Sequence, residues 1–265
     1  MHYKELCFGA MEVVRKAAAY VKEQHENRQA LTIEEKGRQN FVTEVDKQAE
    51  KILVEGLAEL LPEAGFITEE GTKTTEGERF NWIIDPLDGT TNFIHGVFPF
   101  AISVGCTEDK EVVAGVVYEF GLEEFFYAWK GGGAWLNGHQ IQVSKVAKVG
   151  QSLLATGFPY TNFTYLDQFM DSMDYFMKNS HGLRRLGSAA TDIAYVACGR
   201  YDGFYEYGLN PWDVAAGILL VKEAGGRLSD FAGKDNPLFA DHILCSNDKI
   251  FNEFQSLIQK IMLSS

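Results

Sequence analysis

Hydrophobic periodicity changes once along this 265-residue chain, near residues 145–150, and that change constrains the fold more than any other feature. Residues 3–24 place Leu6, Ala10, Val13, Ala17 and Val21 three or four apart, the stripe of an amphipathic helix. A second helix is predicted over 44–61, with Thr43 as its N-cap and Pro62 closing it. The polar stretch 36–40 between them reads as a loop or a short hairpin. Segments 64–68, 81–84, 100–107, 112–119 and 123–129 follow, rich in β-branched and aromatic residues. Turn dipeptides such as Asp109-Lys110, Gly121-Leu122 and Asn137-Gly138 separate the later ones as hairpins.

Beyond the change, strands alternate with helices. Strands are predicted at 152–156, 182–186, 203–207, 227–231 and 243–246, with helices at 162–178, 188–198, 211–224 and 248–262. The reading is a mixed α+β and α/β fold: two helices against a mostly antiparallel N-terminal sheet, then a smaller C-terminal α/β layer. The sub-domains are placed at 1–148 and 149–265. No Pro/Ser-rich linker separates them, so they are expected to pack as one body.

Charge excludes several functions. Asp and Glu number 37 against 24 Lys and Arg, a net −13 at pH 7. Such a surface repels nucleic-acid phosphates and anionic membranes, so neither is an expected partner. The one basic pair, Arg184-Arg185, reads as a surface or dimer-interface feature. The cysteines Cys7, Cys106, Cys198 and Cys245 are widely spaced, fitting reduced thiols rather than a disulfide or zinc framework. No long uncharged apolar run and no secretory leader are visible, so a cytoplasmic location is expected.

The acids are more informative than their sum. In Trp82 to Phe93, WIIDPLDGTTNF, an apolar strand ends in Asp85, Pro86 turns the chain, and Asp88 follows. Two carboxylates on one tight loop can share a hard cation, with the Leu87 carbonyl as a further oxygen ligand. The N–H groups of Gly89 and Thr90, at a helix start, suit a phosphate. Glu69-Glu70-Gly71 and Asn210-Pro211-Trp212-Asp213 offer further acids, and Asp46 lies two residues into the second helix. Each segment alone has an ordinary explanation as a turn, a solvated loop or a helix cap.

Together, Trp82 to Phe93 and Gly208 to Gly217 (GLNPWDVAAG) resemble the inositol monophosphatase family of metal-dependent, lithium-sensitive phosphatases. Glu69-Glu70-Gly71, Gly187-Ser188-Ala189-Ala190 and Glu223-Ala224-Gly225-Gly226 support the resemblance, which spans nearly the whole chain. It implies a layered αβαβα sandwich, and a homodimer. It implies two or three Mg²⁺ per subunit, held by Glu70, Asp85, the Leu87 carbonyl, Asp88 and Asp213. Gly89 and Thr90 match the phosphate cradle, and Thr90 with Asp46 matches the pair that orients the attacking water beside Glu70. Ser188, Ala189 and Glu206, together with Asp88 and Asp213, match positions around the substrate. Lys36 matches a lysine on a mobile loop near the metals.

The activity so implied is hydrolysis of inositol monophosphate to inositol and phosphate. The shared phosphate end leaves NADP(H) or fructose 1,6-bisphosphate as alternatives, with Tyr160, Phe163 and Tyr165 available to stack on a base. A regulatory or interaction protein on the same fold is the alternative outside enzymes.

Overall fold

The computed structural model describes residues 2–27, 33–37, 40–160 and 162–263, with backbone alone for 33–37 and 40–43. Its layers follow from the periodicities above. Helix α1 (Tyr3–Glu26) buries Leu6, Ala10, Val13, Ala17 and Val21, the predicted stripe, and Val14 beside it. The hairpin β1 (Ile33–Gly37) and β2 (Asn40–Thr43) precedes α2 (Glu44–Leu60). The predicted Thr43 cap and the Lys36 side chain lie outside the described residues.

A seven-stranded sheet comes next: β3 (Gly65–Thr68), β4 (Phe80–Asp88), β5 (Ala101–Glu108), β6 (Glu111–Glu119), β7 (Glu124–Trp129), β8 (Ala134–Leu136) and β9 (His139–Ile141), in that order. Only β3 and β4 pair in parallel; the other neighbours are antiparallel. A short helix, α3 (Thr90–His95), sits between β4 and β5. Asp109 and Lys110 turn β5 into β6 with φ of 50° and 66°, the left-handed pair of a tight hairpin.

The second half supplies β10 (Leu153–Thr156), α4 (Leu166–Asn179), β11 (Gly182–Arg184), α5 (Ala189–Ala197), β12 (Gly203–Tyr207), α6 (Pro211–Glu223), β13 (Gly226–Ser229), β14 (His242–Asn247) and α7 (Phe251–Met262). Its five-stranded sheet runs β11-β10-β12-β14-β13. It is parallel across β11-β10-β12 and antiparallel beyond. Two helices start later than their periodicity predicts. α4 begins at Leu166, because the Asn162 side chain accepts from the Thr164 N–H and holds a turn there. α7 begins at Phe251, because Asn247 Oδ1 accepts from the N–H groups of Lys249 and Ile250. Asn and Asp side chains compete with the helix for nearby amides in this way.

Three apolar clusters show the stacking. The first joins α1 and α2 to one face of the seven-stranded sheet through Val14, Leu53, Trp82 and Ile84. The second joins the other face, through Ile83, Ala101 and Val117, to α5 and α6 and on to Phe204 and Cys245 of the smaller sheet. The third packs α4 and α7 beneath that sheet, through Phe169, Phe176 and Phe254. The order is helix, sheet, helix, sheet, helix. The middle core crosses between the two halves of the chain, so α5 and α6 belong to both.

That middle layer is tight. A Cβ on Gly105 would lie 2.7 Å from Ala215 Cβ, and one on Gly115 would lie 2.9 Å from the Ala216 carbonyl oxygen. Helix α6 rests almost directly on the backbone of β5 and β6. Gly115→Val therefore costs about 1–3 kcal/mol by overpacking. Thermal melts should show a Tm lower by roughly 2–4 °C per kcal/mol. An unchanged Tm would show that the layer yields.

Candidate metal centre

The site forms where β4 stops being regular. Asp85 pairs with Ser103, yet Asp88 pairs with Ala101, so one extra residue sits on β4 between them. Pro86, without an N–H, is suited to such a bulge. In an even strand, residues three apart face opposite ways. The bulge removes that inversion and puts both carboxylates on the side of α5 and α6. Asp85 Oδ1 accepts from the Leu87 N–H at 2.9 Å, which fixes the turn.

Asp213 arrives from across the layer. Pro211 opens α6, and the Asn210 N–H donates to Asp213 Oδ2 at 2.6 Å. The Ser103 hydroxyl donates to the Trp212 carbonyl at 3.2 Å, tying β5 to the start of α6. Asp85, Asp88 and Asp213 each offer an oxygen within 4.8 Å of the others. Asp88 is anchored from α5 as well: the Ser188 hydroxyl reaches its Oδ2 at 2.6 Å and the Ala190 N–H at 2.8 Å.

The fourth acid is Glu69 rather than Glu70. Ile67 packs toward the α5–α6 layer, as does Ile83, whereas Phe66, Trp82 and Ile84 face α1 and α2. Alternation along a strand then sends Glu69 and Asp85 to the same side, and Glu70 to the other. Glu69 lines the cleft beside Asp85 and hydrogen-bonds it. The Glu70 N–H instead donates at 2.8 Å to Glu50, a buried acid of α2 that also accepts from Thr72 N–H at 2.7 Å. Parity relative to Ile67 was the signal in the sequence that identifies Glu69.

The predicted Thr90–Asp46 pair is formed. Thr90 Oγ1 lies 3.0 Å from Asp46 Oδ1 and 3.0 Å from the Leu87 carbonyl, and Asp46 is buried in the first turn of α2. Gly89 has φ 89°. A Cβ there would lie 3.1 Å from the Gly187 carbonyl and 3.2 Å from the Pro99 carbonyl, which leaves room for glycine alone. The cleft, about 200 Å³, joins Gly89, Thr90, Ser188, Ala189, Glu206 and Asp213. Glu206 is buried beside Gly157, where any Cβ would collide with its carboxylate. Arg185 also lines the cleft, on the Phe158–Tyr160 segment; the sequence reading had placed it on the surface or at an interface.

Burial and mutual repulsion hold these carboxyls protonated to unusually high pH. Desolvation comes first in every case. Asp88 is pushed up to about 6, with the Ser188 and Ala190 hydrogen bonds opposing the shift. Asp213 rises to about 7, desolvated and repelled by Asp88. Glu69 rises to about 8, desolvated and repelled by Asp213, and Asp85 rises well above the carboxylate range. Two unit charges 4 Å apart repel by about 4 kcal/mol at an effective dielectric of 20. That is a large share of the roughly 5–15 kcal/mol that holds a domain folded. An all-oxygen donor set of this charge suits a hard divalent cation. The residues present therefore fit the metal ions expected of them.

The sequence and the structure both have known relatives. The model of the inositol monophosphatase family matches residues 2–262. Nus factor SuhB of Pseudomonas aeruginosa is 40% identical over 255 residues, 94% of each chain. An inositol-1-monophosphatase of Rhizobium meliloti is 41% identical over 234 residues, 88% of each. The extragenic suppressor protein suhB of Bartonella henselae superposes with a TM-score of 0.90 at 35% identity, covering 95% of this chain and 97% of that one.

A pH titration of stability tests the cluster. Unfolded carboxyls titrate near 4. These bind protons more tightly when folded, so the metal-free protein gains stability from them at low pH. It loses that contribution as pH rises through about 6, 7 and 8 for Asp88, Asp213 and Glu69. In chelator, Tm should fall between about pH 5 and pH 8.5, and a divalent cation should raise it more at the alkaline end. A Tm that climbs over that range without metal would contradict the cluster.

Proposed function

The chain belongs to the inositol monophosphatase family, a family of divalent-metal phosphatases, and from that premise we propose that it hydrolyses inositol monophosphate using Mg²⁺. The observation that carries the proposal is the convergence of Asp85, Asp88 and Asp213 within 4.8 Å, beside the Thr90–Asp46 hydrogen bond. Glu69, Asp85 and the Leu87 carbonyl would hold one Mg²⁺, and Asp85, Asp88 and Asp213 a second. Bound there, Mg²⁺ lowers the pKa of water and stabilises a leaving alkoxide.

The chain's own groups do the positioning. Gly89 and Thr90 line the cleft at the start of α3, where the N–H groups of a helix start would suit the phosphoryl oxygens. Thr90 Oγ1, with Asp46 as its buried acceptor, orients a water for attack in line with the departing oxygen. Asp46 draws on the threonine hydroxyl proton, which in turn leaves the hydroxyl oxygen free to accept from the water. Glu69, beside Asp85 on the cleft wall, is the acid placed to receive that proton. Ser188 and Ala190 hold Asp88 in one orientation, so that Asp88 and Asp213 face the leaving oxygen together. Glu206, at the far wall, would accept from a hydroxyl of the alcohol.

A cytoplasmic homodimer with no nucleic-acid or membrane partner remains part of the proposal. The net charge of −13 disfavours a nucleic-acid or anionic-membrane partner. NADP(H) is an alternative substrate, with Phe158 and Tyr160 exposed at the cleft to stack on a base. The name of the Pseudomonas aeruginosa relative favours a second reading, an interaction protein on this fold. Near-zero turnover on every phosphomonoester tried with Mg²⁺ would select that second reading.

Two variants test the mechanism on inositol 1-phosphate. Asp88→Asn should abolish Mg²⁺-dependent turnover while the far-ultraviolet spectrum stays native; near-normal activity would remove Asp88 from the site. Thr90→Ala should lower kcat by about 100-fold or more with a smaller change in KM, the scale of a lost proton-transfer partner. Equal kcat values would take Thr90 out of the chemistry. Chelation and Li⁺ should each inhibit the native protein.

A further inference from the structure

Glu50 is fully buried in α2 and takes no part in the proposed hydrolytic step. Its two oxygens accept from the backbone of the loop after β3. Oε2 takes the Glu70 N–H at 2.8 Å, and Oε1 takes the Thr72 N–H at 2.7 Å. Gly71, between these two amides, has a φ of 75°. Main-chain N–H groups around a left-handed residue form a concavity that binds anions. Here the anion is supplied from inside the chain. A glutamine at this position would offer a single acceptor to two amides, and a charged acceptor holds an amide more firmly than a neutral one.

The loop so held begins with Glu69. β3 pairs with β4 as far as Thr68, opposite Ile84, and the Glu69 N–H donates to the Ile84 carbonyl at 3.2 Å. Asp85 is the next residue on β4. Past Glu69 the chain leaves the sheet, and Gly71 and Thr72 are exposed. Glu69 is therefore fixed from one side by the strand ladder and from the other by Glu50. Without that acid the two amides would turn to water, and the Glu69 carboxylate would lose its set direction beside Asp85. The same turn of α2 also serves Thr90. Asp46, four residues before Glu50 and on the same face of the helix, accepts from Thr90 Oγ1 at 3.0 Å. Val45, Ala49, Leu53 and Leu57 are fully buried in the core that joins α2 to the larger sheet, which fixes this turn. One turn of one helix thus sets the places of Glu69 and Thr90 together.

We propose that Glu50 is a positioning residue for the metal site: its carboxylate fills the amide concavity at Glu70 and Thr72, and so aims Glu69 at the cation it would share with Asp85. This rests on the reading of the cleft as a metal-dependent phosphatase site. Glu50 touches neither cation nor substrate and acts through Glu69 alone.

The test reads Mg²⁺ affinity on the full chain in two ways, by calorimetry and from the Mg²⁺ dependence of inositol 1-phosphate hydrolysis. Glu50→Gln should raise both Mg²⁺ constants by about 10-fold or more, the scale on which partners behind a metal ligand act. KM for inositol 1-phosphate at saturating Mg²⁺ should change far less. Gly71→Ala reaches the same turn from the solvent side. Its Cβ would meet nothing within 4 Å, so it acts only through the φ of 75° and should shift both constants in the same direction. In a Glu69→Gln background, Glu50→Gln should add almost nothing, because its effect passes through Glu69. Glu50→Gln decides if its far-ultraviolet spectrum is native, and Gly71→Ala decides if it is not. Unmoved Mg²⁺ constants in the deciding variant overturn the proposal. So does an equal shift with and without Glu69, which would make Glu50 part of the scaffold alone. A native chain with neither Mg²⁺ binding nor Mg²⁺-dependent turnover would instead overturn the phosphatase reading beneath it.

Discussion

The close approach of α6 to the backbone of β5 and β6 is the contact on which the rest depends. Ala215 and Ala216 meet Gly105 and Gly115 with no space for another methyl group. Because the helix cannot ride higher, its first turn is held level with the bulge of β4, and Asp213 faces Asp85. The Ser103–Trp212 hydrogen bond fixes the helix along its axis at the same point. A bulkier residue in this layer would lift α6, and a metal ligand would move with it. Small residues here are packing choices with a chemical consequence.

Gathering the acids works against folding, and the surroundings show how that cost is managed. Asp88 is offset by the Ser188 hydroxyl and the Ala190 N–H, and Asp213 by the Asn210 N–H. Asp46 accepts from Thr90, and Glu50 accepts from two amides of the loop after Glu69. Helix N-termini supply several of these donors, so the positive ends of α5 and α6 are turned toward the cluster. These donors orient the oxygens and oppose the upward shift, but desolvation, with mutual repulsion added, outweighs them. Divalent cations would offset this charge, two of them (+4) matching the four carboxylates of Glu69, Asp85, Asp88 and Asp213 inside a chain of net charge −13. The overall acidity serves the surface and does not describe the site.

The two walls of the cleft divide the work. The larger sheet and α3 carry the acids and amides that suit a phosphoryl group, and these form one rigid unit with α1 and α2 behind them. The smaller sheet's side carries Glu206, Arg185 and the aromatic 158–160 segment, which under the proposed reading would meet the alcohol. On that reading, substrate choice would rest on Glu206, Arg185 and the 158–160 segment rather than on Asp85 or Asp88.

Much of this was legible in the sequence, because it rests on local rules. The stripe of α1, the hairpin turns at Asp109-Lys110 and Asn137-Gly138, and the strand ending in Asp85 are short-range patterns, and they appear as predicted. The motif at 82–93 named Asp85, Asp88 and Thr90, and the motif at 208–217 named Asp213. Asn162 and Asn247 delayed two helices, because a side chain capturing nearby amides competes locally with apolar periodicity. Glu69 and Arg185 needed the tertiary structure. Adjacent glutamates are indistinguishable until the strand's two faces are assigned to different layers, and the layer facing Glu69 is built by helices more than a hundred residues away. An arginine in a basic pair looks like a surface residue until Phe158 and Tyr160 fold over it. The sequence by itself determined which elements form and singled out Asp85, Asp88 and Asp213 as candidate metal ligands. The packing of α5 and α6 between the sheets decided which of them meet, since only that layer brings distant segments within reach of one cation.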